Sequence, residues 1–168
     1  IAVHGRTRAQ RYSGVPDWEL TGRVKQAVRV PVVGSGDIES ATAALERLRT
    51  SGVDGVMIGR ATLGHPWIFR EIAALRAGLA PPPVTLTERL GAVDALIARL
   101  AAELPPESAL GRARGLACRM VRYVRGGAVL REALARAPSL DAMRALLAEA
   151  AWARQPPEPR AAASHLTC

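Results

Sequence analysis

Two short glycine-bearing turns hold the residues best suited to chemistry. Gly34-Ser35-Gly36-Asp37 and Gly59-Arg60 each follow a run rich in branched apolar residues. Glycine allows close approach to the backbone, and the N–H groups that open a following helix favour an anion. The Arg60 guanidinium adds a forked cation. Together the turns suit a cup for a phosphorylated ligand. Another apolar run ends at His4, with Arg6 and Arg8 just beyond it. Taken without the surrounding HGRTR run, His4 fits a hydrogen-bonded core histidine better, and Asp37 also fits a helix cap. Cys118 and Cys168 form no metal-ligand pattern and no disulfide framework, so no metal is expected.

A second constellation is basic. All but one of the 23 basic residues are arginine, the exception being Lys25, and against 15 acids the net charge is +8. Such an excess favours a polyanion or small phosphates. The stretch from Glu107 to Arg125 predicts one helix. Ala113, Leu116, Ala117, Met120, Val121 and Val124 form its apolar stripe. Arg112 and Arg119 flank the stripe on one side with Arg122 further round, and Arg114 and Arg125 flank it on the other. That pattern suits a phosphate track of salt-sensitive affinity. A solvated arginine-rich face would have the same pattern.

The elements that must position these residues follow from the apolar pattern. Ile1-Ala2-Val3, Val30 to Val33 and Val53 to Ile58 read as buried parallel strands whose ends lie about 25–30 residues apart, the pitch of βα units. Asp17 is placed to cap a helix over Trp18 to Val28. Ser40 or Asp37 is placed to cap the next, with Gly52 as its left-handed stop. Pro66 starts a helix running to about Ala77. After the Pro81-Pro82-Pro83 linker the pattern is helical. A helix capped by Thr87 comes first, then the Glu107–Arg125 helix, and then stretches over 129–136 and 140–151. The expected domains are a partial barrel over 1–78, a linker over 79–85, a helical bundle over 86–152 and a disordered tail over 153–168. Apolar residues make up 49% of the chain, too many for a disordered polypeptide. No apolar run approaches the roughly 18 residues of a membrane span, and no secretory leader is visible. A reducing cytoplasm is the expected home.

Three βα units with no antiparallel signal fit a doubly wound sheet or a (β/α)8 barrel. The glycines favour the barrel, because the GxGxxG of a dinucleotide fold is missing after the first strand. The runs VHGRTRAQRYSG, PVVGSGDI and DGVMIGRATLGHPWIFREI resemble tRNA-dihydrouridine synthases of the bacterial type over about residues 1–76. The resemblance implies the last three βα units of a (β/α)8 barrel followed by a small tRNA-binding helical bundle. It implies FMN at the barrel mouth, NADPH as reductant, hydride delivery to C6 of a tRNA uridine, and a cysteine that protonates C5. The target base must leave the tRNA stack to be reached. By the same resemblance Ser35, Gly36, Asp37, Gly59 and Arg60 hold the phosphate and ribityl chain, His4 faces the flavin, and Arg6 and Arg8 lie on the same mouth to meet substrate or tRNA phosphates. Ser35 stands where the family usually has Asn. The family's cysteine, an active-site lysine and five strands precede the HGRTR motif. The expectation is therefore a C-terminal half, inactive alone, that relies on self-association or on the missing half of the barrel. A non-catalytic RNA-binding module is the alternative, and another phosphate-binding barrel a third reading.

Overall fold

The computed structural model describes residues 1–124 and 126–153. Arg125, Cys168 and the expected tail from residue 154 onward lie outside the described residues. Three strands form a parallel sheet in the order β1-β2-β3: β1 (Ala2–His4), β2 (Val33–Ser35) and β3 (Gly55–Met57). His4 is in register with Ser35, and Ser35 with Met57. The ends of all three strands therefore lie along one rim.

β2 sits later than the Val30–Val33 run predicts. Pro31 has no N–H to donate, and the Val32 N–H donates to Asp54 Oδ2 at 2.7 Å, so the ladder begins at Val33. Val32 and Val53 are buried without belonging to a strand. Gly34 consequently lies inside β2 and Ser35 ends it.

Two helices follow β1 and β2. α1 (Trp18–Ala27) starts at Asp17, whose side chain accepts from the Leu20 N–H, and α2 (Ala41–Ser51) starts at Ser40, which accepts from the Ala43 N–H. Gly52 ends α2 in the left-handed region at φ 68°. After β3 a 3-10 turn (Arg60–Leu63) intervenes, so the next helix, α3 (Ile68–Arg76), begins later than Pro66. These elements share one apolar core containing Trp18, Val32, Ile38, Ala44, Ile58 and Ile68.

The remaining helices are α4 (Leu86–Glu103), α5 (Pro106–Met120), α6 (Gly127–Arg136) and α7 (Leu140–Trp152). Thr85 caps α4, accepting from the Glu88 N–H, which corrects the expectation of Thr87. The helix expected over Glu107 to Arg125 ends at Met120 and tightens into a 3-10 turn over Val121–Tyr123. Gly127 packs against this turn. A Cβ there would lie 2.6 Å from the Val121 carbonyl oxygen, so the chain doubles back closely at this point. Leu90, Val93, Ile97, Ala113, Ala117, Met120, Leu134, Met143 and Leu147 form a second core among these helices. No helix among the described residues is long and apolar enough to cross a membrane.

Candidate functional site

The two glycine-bearing turns meet. Asp37 follows β2 with its backbone in the left-handed region at φ 42°, and its Oδ1 accepts from Arg60 Nη2 at 2.6 Å. The same carboxylate is held from behind by Arg6, whose Nη1 and Nη2 donate to Oδ1 at 2.8 Å and Oδ2 at 2.5 Å. The Arg6 side chain is buried, and its remaining contacts are the Ser13 and Gly14 carbonyls at 3.1 and 2.6 Å. Arg6 therefore fixes Asp37 and the 7–14 loop. With its guanidinium so engaged it is not free to meet an external phosphate, which corrects that expectation. The Arg6 hydrogen bond holds the Asp37 carboxyl below its usual range, with the charges of Arg6, Arg60 and His4 adding to the effect.

The helix-cap role for Asp37 also falls away, because Ser40 caps α2 and the carboxylate faces two arginines. Gly36 is glycine for a packing reason. Its φ is +151°, and a Cβ would stand 2.6 Å from Pro16 Cβ. Gly34 is equally confined, with a would-be Cβ 2.5 Å from the Trp18 ring. Gly59 differs from both: nothing lies within 4 Å of its Cβ position, so its backbone stands uncovered.

These residues line one cleft of about 670 Å³, bounded by His4, Tyr12, Ser35, Gly36, Asp37, Gly59, Arg60, Arg122 and Tyr123 among others. His4 Nδ1 lies 3.1 Å from the Ser35 carbonyl oxygen. A carbonyl only accepts, so Nδ1 carries the proton, and in the neutral ring Nε2 is left as a bare acceptor. Arg60 is mostly exposed and stacks over the Tyr12 ring at 4.6 Å, which orients its remaining donors. The donor set is an exposed forked cation, an open glycine backbone and a fixed imidazole beside a paired carboxylate. It fits a phosphorylated, ring-bearing ligand.

The arginines of the predicted phosphate track separate. Arg112 and Arg119 are exposed on α5 and have no acidic partner among the described residues. Arg8 is exposed on the 7–14 loop. Arg114 instead donates through Nε and Nη2 to the Ala137 carbonyl at 3.1 and 2.7 Å, closing the end of α6, so the structure gives it a capping role rather than a place in the track. Arg122 turns to the cleft, because the helix ends before it. Cys118 does not line the cleft. Its thiol donates to the Arg131 carbonyl at 3.4 Å, and burial pushes its pKa up.

Sequence reasoning missed Arg89, Tyr12 and the cleft-facing role of Tyr123. Arg89 stands one turn into α4 beside Leu90, where the periodicity marks only an apolar stripe. Tyr12 lies in the quoted YSG run, and its aromatic ring was the available signal.

Comparison with known proteins adds an independent finding. The family model described as "Dihydrouridine synthase (Dus)" matches residues 1–155. The chain is 42% identical over 152 residues to the "Probable tRNA-dihydrouridine synthase" of Mycobacterium tuberculosis, covering 88% of this chain and 38% of that relative. It is 50% identical over 93 residues to "tRNA-dihydrouridine synthase B" of Pseudomonas putida, covering 54% of this chain and 28% of that protein. The matching protein of Xanthomonas campestris is 46% identical over 101 residues, 57% of this chain and 30% of its own length. The chain thus spans well under half the length of these relatives.

Proposed function

The chain belongs to the dihydrouridine synthase family, and on that premise we propose that its cleft holds FMN in the flavin-dependent reduction of tRNA uridines to dihydrouridine. One observation carries the reading. The Arg60–Asp37 contact joins two successive βα turns into a single cleft that also contains His4 and the open backbone of Gly59. Arg60 and Gly59 hold the phosphate. Ser35, Gly36 and Asp37 would hold the ribityl chain, with the Ser35 hydroxyl serving where the family usually has an amide. Asp37 keeps Arg60 aimed, and Arg6 keeps Asp37 in place. His4 would contact the ring system. FMN held by these residues, with NADPH as reductant, would supply a hydride for the tRNA uridine.

In the same reading the three strands are the last units of a (β/α)8 barrel, and α4 to α7 are the tRNA-binding part. Parallel strands need neighbours on both sides to close, which accords with a chain that matches only part of its relatives. Arg8, Arg112 and Arg119 contact tRNA phosphates, and Arg122 contacts tRNA at the cleft.

Titration of the purified chain with FMN and with a tRNA transcript tests this. The expected result is flavin binding that Arg60→Ala weakens about tenfold or more, the usual worth of a charge-assisted hydrogen bond. tRNA affinity is expected to fall steeply with salt, and removing Arg112 or Arg119 lowers the salt slope by about one each. Salt-dependent tRNA binding without any flavin binding would favour an RNA-binding module instead.

A further inference from the structure

Arg89 is nearly fully buried, yet no carboxylate pairs with it among the described residues. Its Nη1 donates to the Gly64 carbonyl at 3.3 Å, in the loop before α3, and to the Met120 carbonyl at 2.9 Å, at the end of α5. Its guanidinium stacks over Trp67 at 4.7 Å and over Tyr123 at 5.7 Å. One α4 side chain therefore ties the loop that follows the sheet to the turn carrying Arg122 and Tyr123. His65 supports the same group, its ring 5.9 Å from those of Trp67 and Tyr123 and its Nε2 2.7 Å from Glu71 Oε1. A buried cation without an acidic partner is costly to leave uncompensated, and here two carbonyls engage Nη1 while two aromatic rings lie against the guanidinium.

What this arrangement holds in place is the part of the cleft lined by Arg122 and Tyr123. Tyr123 remains 64% exposed although Arg89 backs its ring, and Arg122 beside it is exposed as well. An open aromatic face next to a free-standing guanidinium is the pair that a nucleobase and its phosphate require. Arg60, which lines the same cleft, already has the glycine turn beside it. We propose that Arg89 is a positioning residue that sets Tyr123 and Arg122 as a nucleotide subsite for the RNA strand, with Tyr123 stacking a base and Arg122 taking a phosphate. The inference rests on the proposed RNA-directed function of the cleft.

The full chain is titrated with FMN and, separately, with a tRNA transcript, and circular dichroism checks that each variant is folded. Tyr123→Ala is expected to weaken tRNA binding about tenfold and to leave FMN affinity within about twofold. Arg89→Lys keeps the charge but loses the planar fork and the stacking, and it should show the same selective loss. The double variant should then bind no more weakly than either single one, since both act on one subsite. Arg89→Gln, which retains a planar amide donor, stands in if the lysine variant does not fold. Unchanged tRNA affinity in Tyr123→Ala overturns the proposal. So do additive losses in the double variant, a parallel fall in FMN affinity, or a wild-type chain that binds no tRNA. A wild-type chain that fails to bind FMN but shows the coupled tRNA losses defeats the flavin reading and leaves this subsite standing.

Discussion

Asp37 sits between two arginines of different burial, and the difference separates their jobs. Arg6 has no solvent to compete for its donors, whereas Arg60 reaches the carboxylate from an exposed position and keeps further donors for a ligand. At the other end of the sheet Asp54 is similarly held, by Lys25 and by the Val32 N–H, and its pKa is also lowered. Both carboxylates titrate below their usual 3.8 in the folded chain. Their contribution to stability is therefore complete above that value. It fades as the unfolded chain takes up protons near pH 4, and it is lost once the pH drops through the lower folded values. Melting curves from pH 7 to pH 3 should show the midpoint falling below about pH 4.5, less steeply in Asp37→Asn. The glycines give a second contrast. Gly36→Ala forces a side chain into Pro16 at positive φ and should cost about 1–3 kcal/mol in denaturant melts. Gly59→Ala meets open space, so it should cost less stability while still weakening FMN binding severalfold, because its methyl covers the backbone.

Elements here start and stop for local reasons that the sequence shows only in part. Asp17, Ser40 and Ser139 each cap the helix that follows, and each accepts from the N–H three residues on. For α4 two threonines compete at the start. Thr85 has the extended backbone and makes the bond, and Thr87 already lies within the helix. Thr85→Ala should lower stability by about 1 kcal/mol and Thr87→Ala by a few tenths at most, measured by chemical denaturation. The break after Met120 has larger consequences. A continuous helix through Arg125 would carry Arg122 round the α5 surface, whereas the 3-10 turn delivers it, with Tyr123, to the cleft. Arg114, still inside α5, is drawn to the end of α6.

At the scale of the whole molecule two apolar cores meet where Arg89 bonds the Gly64 and Met120 carbonyls beside Trp67, and where Arg70 pairs with Glu88. In the described sheet β1 and β3 each pair on one side only, and Met57 and Ile1 are exposed beside those edges. Unpaired strand edges with apolar neighbours are templates for association. The purified chain should therefore show concentration-dependent sedimentation and a melting midpoint that rises with protein concentration. A monomer with a sharp, concentration-independent transition would count against the edge argument.

The sequence by itself determined the α/β succession, the helix cap at Asp17, the stop at Gly52 and the family, because these depend on short patterns of residue type, whereas only the structure chose Ser40 over Asp37 as the second cap. Single residues such as His4, Asp37 and Arg60 were legible through their motifs, and they do meet in one cleft. Which arginine faces the cleft and which is buried was decided only in three dimensions. Arg6, Arg60, Arg89, Arg114 and Arg122 carry the same charge and the same donors. Their roles depend on which carboxylate, carbonyl or ring the packing of distant segments brings within reach, and one-dimensional spacing does not encode that.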